Sequence, residues 1–208
     1  MKLIVFDFDG TIADTSEAIV RTFKASASAN GLQCQSDEAI RLSIGLHLRD
    51  MYRELCGVTD SALIQRCIDS YLVIFRSNIP SVTLFPGVRQ TLDALKKEGF
   101  RLAIATNRGA ESLVPMMDVL GIADLIEDYV TPESVCNVKP APDMVNLLME
   151  RFGVSPDDTL VVGDTTYDVD MGHSAGCHTC AVTYGSHPAC RLAESKPEQM
   201  IEDFRRLL

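Results

Sequence analysis

Three short apolar runs, Leu3-Ile4-Val5-Phe6, Leu102-Ala103-Ile104-Ala105 and Leu160-Val161-Val162, constrain this chain more than any other feature. Each has the length and the continuous hydrophobicity of a strand buried on both faces, as in a parallel sheet. Asp128-Tyr129-Val130 and Cys180-Ala181-Val182-Thr183 are weaker runs of the same kind. Between the runs, apolar residues recur at helical spacing: Val88, Leu92 and Leu95; Leu113, Met116, Met117 and Leu120; Val145, Leu148, Met149 and Phe152. Strand then helix, repeated, predicts an α/β fold: a parallel sheet between two layers of helices, in the manner of a Rossmann-like three-layer core. In such a core ligands collect beyond the carboxyl ends of the strands.

From about Asp14 to Ser81 the alternation stops. No strand is evident there, and the apolar sets Ile19/Val20/Phe23, Leu48/Met51/Tyr52/Leu55 and Ile64/Ile68/Tyr71/Phe75 are helix faces. The exit Ile79-Pro80-Ser81-Val82-Thr83-Leu84-Phe85-Pro86-Gly87 carries two prolines and reads as a linker or hinge. The expected organisation is a core of residues 1–13 and 82–208, interrupted by an all-helical insertion of residues 14–81. A chain of 208 residues has room for both.

A formal charge of -10 argues against nonspecific attraction to nucleic acid or to an anionic membrane, both of which reward a basic face. No apolar run approaches the roughly 20 residues that span a bilayer, and Met1-Lys2 leads straight into a strand, so the expected location is the cytoplasm. The seven cysteines are an odd set without the tight spacing of a disulfide framework, and reduced thiols are expected. Cys177-His178-Thr179-Cys180 has the form of a redox or zinc motif, but no second ligand pair lies at zinc-site spacing, and core packing is the simpler reading.

The chemistry-bearing residues gather at predicted strand ends. Asp7 and Asp9 follow the first run, in Asp7-Phe8-Asp9-Gly10-Thr11; two adjacent like charges imply a compensating cation or a shared proton, although Asp-Gly alone is also an ordinary turn. Thr106-Asn107 ends the second run and offers a hydroxyl and an amide to phosphoryl oxygens, while Thr106 is also placed to cap the next helix. Lys139, in Lys139-Pro140-Ala141-Pro142-Asp143, is either a held cation able to neutralise a transferring phosphoryl group or a solvated surface charge. Gly163-Asp164-Thr165-Thr166-Tyr167-Asp168 adds acids after the third run; these are hard oxygen donors of the kind that suit magnesium, and Asp168 has the alternatives of capping the next helix or orienting Lys139.

Together, Asp7-x-Asp9-Gly10-Thr11, Thr106-Asn107, Lys139-Pro140 and Gly163-Asp164-x-x-x-Asp168 resemble the four motifs of the haloacid dehalogenase-like hydrolases, within them the phosphoglycolate phosphatase-like and beta-phosphoglucomutase-like branch. The resemblance covers essentially the whole chain and implies that the insertion is a four-helix cap. It implies that Asp7 attacks phosphorus to give an aspartyl-phosphate and that Asp9 is the general acid and base. It further implies Mg2+ held by the Asp7 side chain, the Asp9 backbone carbonyl and Asp164, with Asp168 close by. Gly10, Thr106, Asn107 and Lys139 contact the phosphoryl group in that scheme. Asn137-Val138 stands before Lys139 where many relatives have a glycine, which is a departure from the pattern.

The presence of Asp9 favours phosphate-ester or phosphoanhydride chemistry over carbon-halogen or carbon-phosphorus cleavage. Hydrolysis of a small phosphorylated metabolite is the leading expectation; a phosphomutase and a catalytically silent phospho-ligand binding protein are the alternatives. The cap loop Ser43-Ile44-Gly45-Leu46-His47-Leu48-Arg49 is the expected selector of the leaving group, with Arg49 either pairing with a substrate anion or lying on a solvated helix face. The sequence is silent on oligomeric state.

Overall fold

The computed structural model describes residues 2–208. In chain order the first elements are β1 (Leu3–Phe6), the two-residue β2 (Ala13–Asp14), and helices α1 (Ser16–Ala29), α2 (Asp37–Leu42), α3 (Leu48–Cys56) and α4 (Ser61–Asn78). There follow β3 (Thr83–Leu84), α5 (Val88–Lys97), β4 (Arg101–Ala105), α6 (Ala110–Val119), β5 (Asp128–Val130) and α7 (Asp143–Phe152). The chain ends with β6 (Thr159–Gly163), α8 (Thr166–Ser174), β7 (His178–Val182), α9 (Ala189–Glu194) and β8 (Gln199–Ile201).

Six strands form one sheet in the order β5-β4-β1-β6-β7-β8, all pairs parallel. The chain builds outward from β1 to one edge and then returns to build toward the other. The strand order therefore reverses at β1, with β4 and β6 as its neighbours, and the crevice beyond their carboxyl ends is where such a topology places a ligand. Register holds the three level: Phe6 pairs with Ile104 on one side and Val162 on the other.

The strands alternate sides with period two. Leu3, Val5, Ala103, Ala105 and Val161 pack with Met144, Val145 and Leu148 of α7. Ile4, Phe6, Leu102, Ile104 and Val162 face the other way, against Val88, Leu92 and Leu95 of α5 and Leu113 and Met116 of α6. Both faces are covered, which is why the strands read as unbroken apolar runs. Cys177 and Cys180 fall on opposite faces, Cys177 in the first cluster and Cys180 in the second, so the CxxC form is packing; burial pushes their thiols up to about 11 and about 12.

In the insert, between Ser16 and Asn78, the regular elements are the four helices α1 to α4, joined by short loops. Ile19, Val20 and Phe23 of α1, Met51, Tyr52 and Leu55 of α3 and Ile64, Tyr71 and Phe75 of α4 are its buried faces. Phe23 stacks on Tyr52 with ring centroids 4.5 Å apart, and the Tyr52 hydroxyl is satisfied by Ser26 at 2.5 Å and the Cys67 carbonyl at 3.3 Å, as a buried phenol requires. Two short strands that the sequence pattern does not announce, β2 and β3, pair antiparallel where the insert leaves and rejoins the core, Ala13 opposite Leu84 and Asp14 opposite Thr83. No helix among the described residues is long and apolar enough to cross a membrane.

Candidate active site

Asp7 follows β1 directly, and its N–H still donates to the Val162 carbonyl at 2.8 Å, so the sheet itself fixes where the carboxylate stands. Lys139 comes from the segment before α7, and its side chain is 1% exposed. Its Nζ donates to Asp7 Oδ1 at 2.5 Å and to Asp168 Oδ1 at 2.6 Å, so one ammonium ties together segments after β1, after β5 and at the start of α8. Burial alone would pull the lysine toward neutrality, but Asp168 and Asp7 outweigh it and hold its pKa above the usual range. The surface-charge reading of Lys139 is thereby excluded. Asn137, two residues before Lys139, donates its N–H and Nδ2 to Asp143 Oδ2 and so pins this loop to the first residue of α7.

Both oxygens of Asp168 are engaged. Oδ1 takes Lys139, while Oδ2 takes the Thr165 N–H at 3.0 Å and the Thr165 hydroxyl at 2.7 Å, closing the N-terminus of α8. Asp168 is thus both the helix cap and the orienter of Lys139, the two alternatives the sequence left open. Asp164, fully buried after β6, accepts from the Thr11 hydroxyl at 2.9 Å and from the Ser186 N–H at 2.6 Å. Gly10 and Gly185 make room for it: a Cβ on Gly10 would lie 2.2 Å from Asp164 Oδ2, and one on Gly185 2.3 Å from Asp164 Cβ. Gly10 also has φ +85, a left-handed value that glycine alone adopts freely, and its N–H is spent on the Ala13 carbonyl at 2.9 Å rather than left for a phosphoryl oxygen.

Asp7, Asp164 and Asp168 each offer a carboxylate oxygen within 4.8 Å of the others. Burial, reinforced by Asp168, pushes Asp164 up to about 7 against the pull of Ser186 and Thr11. Asp7 is raised well above the ordinary carboxylate range, chiefly by burial; Lys139 opposes this, and Asp168, Asp164 and Asp9 add to it. With all four acids ionised, Asp7, Asp9, Asp164 and Asp168 would carry two more negative charges than Lys139 and Arg108 offset, and the raised pKa values of Asp7 and Asp164 reflect that excess together with burial. A hard divalent cation fits that donor set and that charge.

Asp9 is not in the cluster. Its carboxylate points to Arg108, which grips it with both prongs, Nε to Oδ2 at 2.9 Å and an Nη to Oδ1 at 2.7 Å. Burial opposes the charge on Arg108, but Asp9 raises its pKa further. The guanidinium lies 4.5 Å from the centroid of Phe75 in α4 and also bonds Ser112. Arg108 is the residue sequence reasoning missed. Its signal was position alone, one residue beyond Thr106-Asn107 at a strand end.

Thr106, 1% exposed, gives its N–H to the Val130 carbonyl and accepts the Arg108 N–H at Oγ1, 3.2 Å away; the N-cap of α6 is Gly109, so Thr106 does not cap that helix. Asn107 acts as a brace. Its Nδ2 donates to the Gly45 carbonyl of the cap loop at 2.8 Å, and its Oδ1 accepts the Lys139 N–H at 3.3 Å. His187, also absent from the sequence reading, joins core and insert: Nδ1 accepts the Thr166 N–H and Nε2 meets the Leu42 carbonyl at 3.1 Å. Gly45 packs tightly over Thr165, 2.9 Å from where its Cβ would stand.

Asp7, Asp9, Thr106, Asn107 and Arg108 line a cleft whose other wall is Ile44, Gly45, Leu48 and Met51 with Tyr71 and Leu72 of α4. Arg49 is not on that wall. It reaches outward to Gln65 at 3.5 Å, and the structure separates it from the other expected site residues.

The sequence pattern of the haloacid dehalogenase-like hydrolases matches residues 4–182, and the chain belongs to that family. It is 35% identical to a phosphoglycolate phosphatase of Pasteurella multocida, over its full length and 96% of that protein. It is 27% identical to the pyrophosphatase PpaX of Oceanobacillus iheyensis, again over its full length and 95% of that protein. Among solved structures it superimposes on a predicted phosphoglycolate phosphatase from Haemophilus somnus with a TM-score of 0.90 at 27% identity, covering all of this chain and 96% of the other.

Proposed function

We propose that the chain is a magnesium-dependent phosphatase acting on a small phosphorylated metabolite through an aspartyl-phosphate on Asp7. The observation that carries this reading is the Lys139 bridge: a buried ammonium fixes Oδ1 of Asp7, a residue that lines the cleft, and leaves Oδ2 without a hydrogen bond among the described residues. A carboxylate so held is an oriented nucleophile.

Asp7 and Asp164 would hold the metal, with the Asp9 backbone carbonyl, while Asp168 acts from outside through Lys139. The bound ion supplies charge neutralisation between the carboxylates and the phosphoryl oxygens. Asp7 Oδ2 forms a bond to phosphorus as the ester P–O bond breaks, and Asp9 gives its proton to the leaving oxygen. Water then attacks the same phosphorus, Asp9 recovers a proton from it, and phosphate departs with Asp7 restored. Lys139 and the Thr106 hydroxyl balance charge on the phosphoryl oxygens throughout, since transfer of this group is mostly positioning and electrostatics.

The relatives named as a phosphoglycolate phosphatase and as a pyrophosphatase support small anionic phosphorylated compounds as the substrate class. Asp7→Asn is expected to lower magnesium-dependent phosphate release on the order of 10⁴-fold or more while leaving the circular dichroism spectrum intact. Turnover near wild-type in that variant sinks the nucleophile assignment. Isomerisation of a sugar phosphate without phosphate release would instead make the protein a mutase.

A further inference from the structure

Arg108 is the one cation among the described residues that line the cleft, and its fork is closed on the carboxylate that phosphatase chemistry needs free. Three of the five N–H donors of a guanidinium are engaged here, two on Asp9 and one on Ser112. The rest of the group lies over Phe75, whose flat apolar face supports a planar cation. Ile19, Ile44, Leu48, Met51, Leu72 and Tyr71 make the remainder of the leaving-group side largely apolar. A polyhydroxylated leaving group would find few partners there and would strand its hydroxyls. An anion would find one partner, in the geometry that suits carboxylate or phosphate bidentately.

We propose that Arg108 reads an anionic group borne on the leaving side of the substrate, and that in taking it the guanidinium releases Asp9. The exchange keeps the buried cation paired before and after, the substrate's anion taking the place of Asp9 on the fork. It also couples recognition to chemistry: the oxygens of Asp9 come free to reach the leaving oxygen only when a substrate has replaced them on the fork. A phosphate ester with a neutral leaving group binds next to an acid/base residue that is still clamped. Selectivity by this device resides in kcat as well as in KM, because the clamp persists in the bound complex. The inference rests on the phosphatase reading above.

The test compares the full-length protein with Mg2+ on 2-phosphoglycolate and on ethyl phosphate, which share a skeleton but differ in the terminal carboxylate. Wild type is expected to favour the carboxylate in kcat/KM by about 100-fold, the scale of one buried charge-assisted pair. Arg108→Met, which keeps bulk over Phe75, should bring that ratio to within a few-fold, and Arg108→Lys should fall between. Pyrophosphate as a third substrate tells whether the fork takes carboxylate or phosphate: the preferred anion is the one whose advantage vanishes in Arg108→Met. Equal use of 2-phosphoglycolate, pyrophosphate and ethyl phosphate by the wild type overturns the proposal even if Arg108→Met does not fold. So does an equal loss on all three in a folded Arg108→Met, which would mark the residue as structural. Phosphate release from none of the three by the wild type overturns the phosphatase reading and this inference with it.

Discussion

Two buried cations flank Asp7, and they are held in opposite ways. Lys139 joins two acids, Asp7 and Asp168, and its side-chain hydrogen bonds among the described residues go to the core. Arg108 grips one acid, Asp9, and leans on Phe75 of the insert. Around Lys139 the hydrogen bonds interlock: Asp168 closes α8, Thr11 and Ser186 hold Asp164, and Asn107 holds the lysine backbone. Around Arg108 the environment is ring faces and the apolar side chains of a cleft wall. The two regions differ in kind: around Lys139 charge is held by interlocking hydrogen bonds within the core, while around Arg108 one ion pair stands among apolar side chains at the seam with the insert.

The sharpest way to break this contrast is Lys139→Met. It leaves Asp7 and Asp168 buried without their counter-ion, and we expect a loss of about 3–5 kcal/mol in stability at neutral pH, read by urea denaturation. A small loss would mean the Lys139 side is not locked.

Next in size is a pH effect confined to that side. With its pKa pushed up to about 7, Asp164 binds a proton in the folded chain at pH values where the unfolded chain, near the ordinary 3.8, has lost it. Stability without metal therefore falls as pH rises from about 4 to about 7. Melting temperatures in chelator should decline across that window, the decline should flatten with Mg2+, and Asp164→Asn should lack the metal-dependent difference.

Asn107→Ala probes the seam between the two regions. It strips partners from the Gly45 carbonyl and the Lys139 N–H, and a loss of about 1–3 kcal/mol is expected in the same denaturation experiment. The smallest effect belongs to Arg49→Ala. Its guanidinium faces Gln65 away from the cleft, so stability should move by no more than about 0.5 kcal/mol and kcat/KM should stay at the wild-type value. A large drop in kcat/KM would return Arg49 to the site.

The Lys139 side was legible in the sequence because its acids follow strands whose burial on both faces writes a continuous apolar run. Asp7 and Asp164 need only those runs to be placed. Lys139 was legible as a motif, though its burial was not, since nothing local distinguishes a buried lysine from a solvated one until two carboxylates converge on it. The Arg108 side was largely unreadable. Arg108 looks like a surface charge in a loop, and its partner Asp9 lies 99 positions away. Arg49 drew attention because it sits in the cap loop, yet the turn of α3 carries it outward. β8 escaped notice because Gln199 and Met200 are exposed at the sheet edge and only Ile201 is buried. β2 and β3, at two residues each, are too short to show any period.

That two-residue ribbon has a wider meaning. Ala13 stands opposite Leu84 and Asp14 opposite Thr83, so the strands that lead into and out of the intervening helices begin and end side by side. The sheet experiences the segment between them as a single closed loop of any length. A lineage can enlarge, shrink or replace that loop without rethreading the strands that carry Asp7, Thr106 and Asp164. Any change of length in that segment is absorbed at the junction, and the sheet registers that hold β1, β4 and β6 level are left as they are.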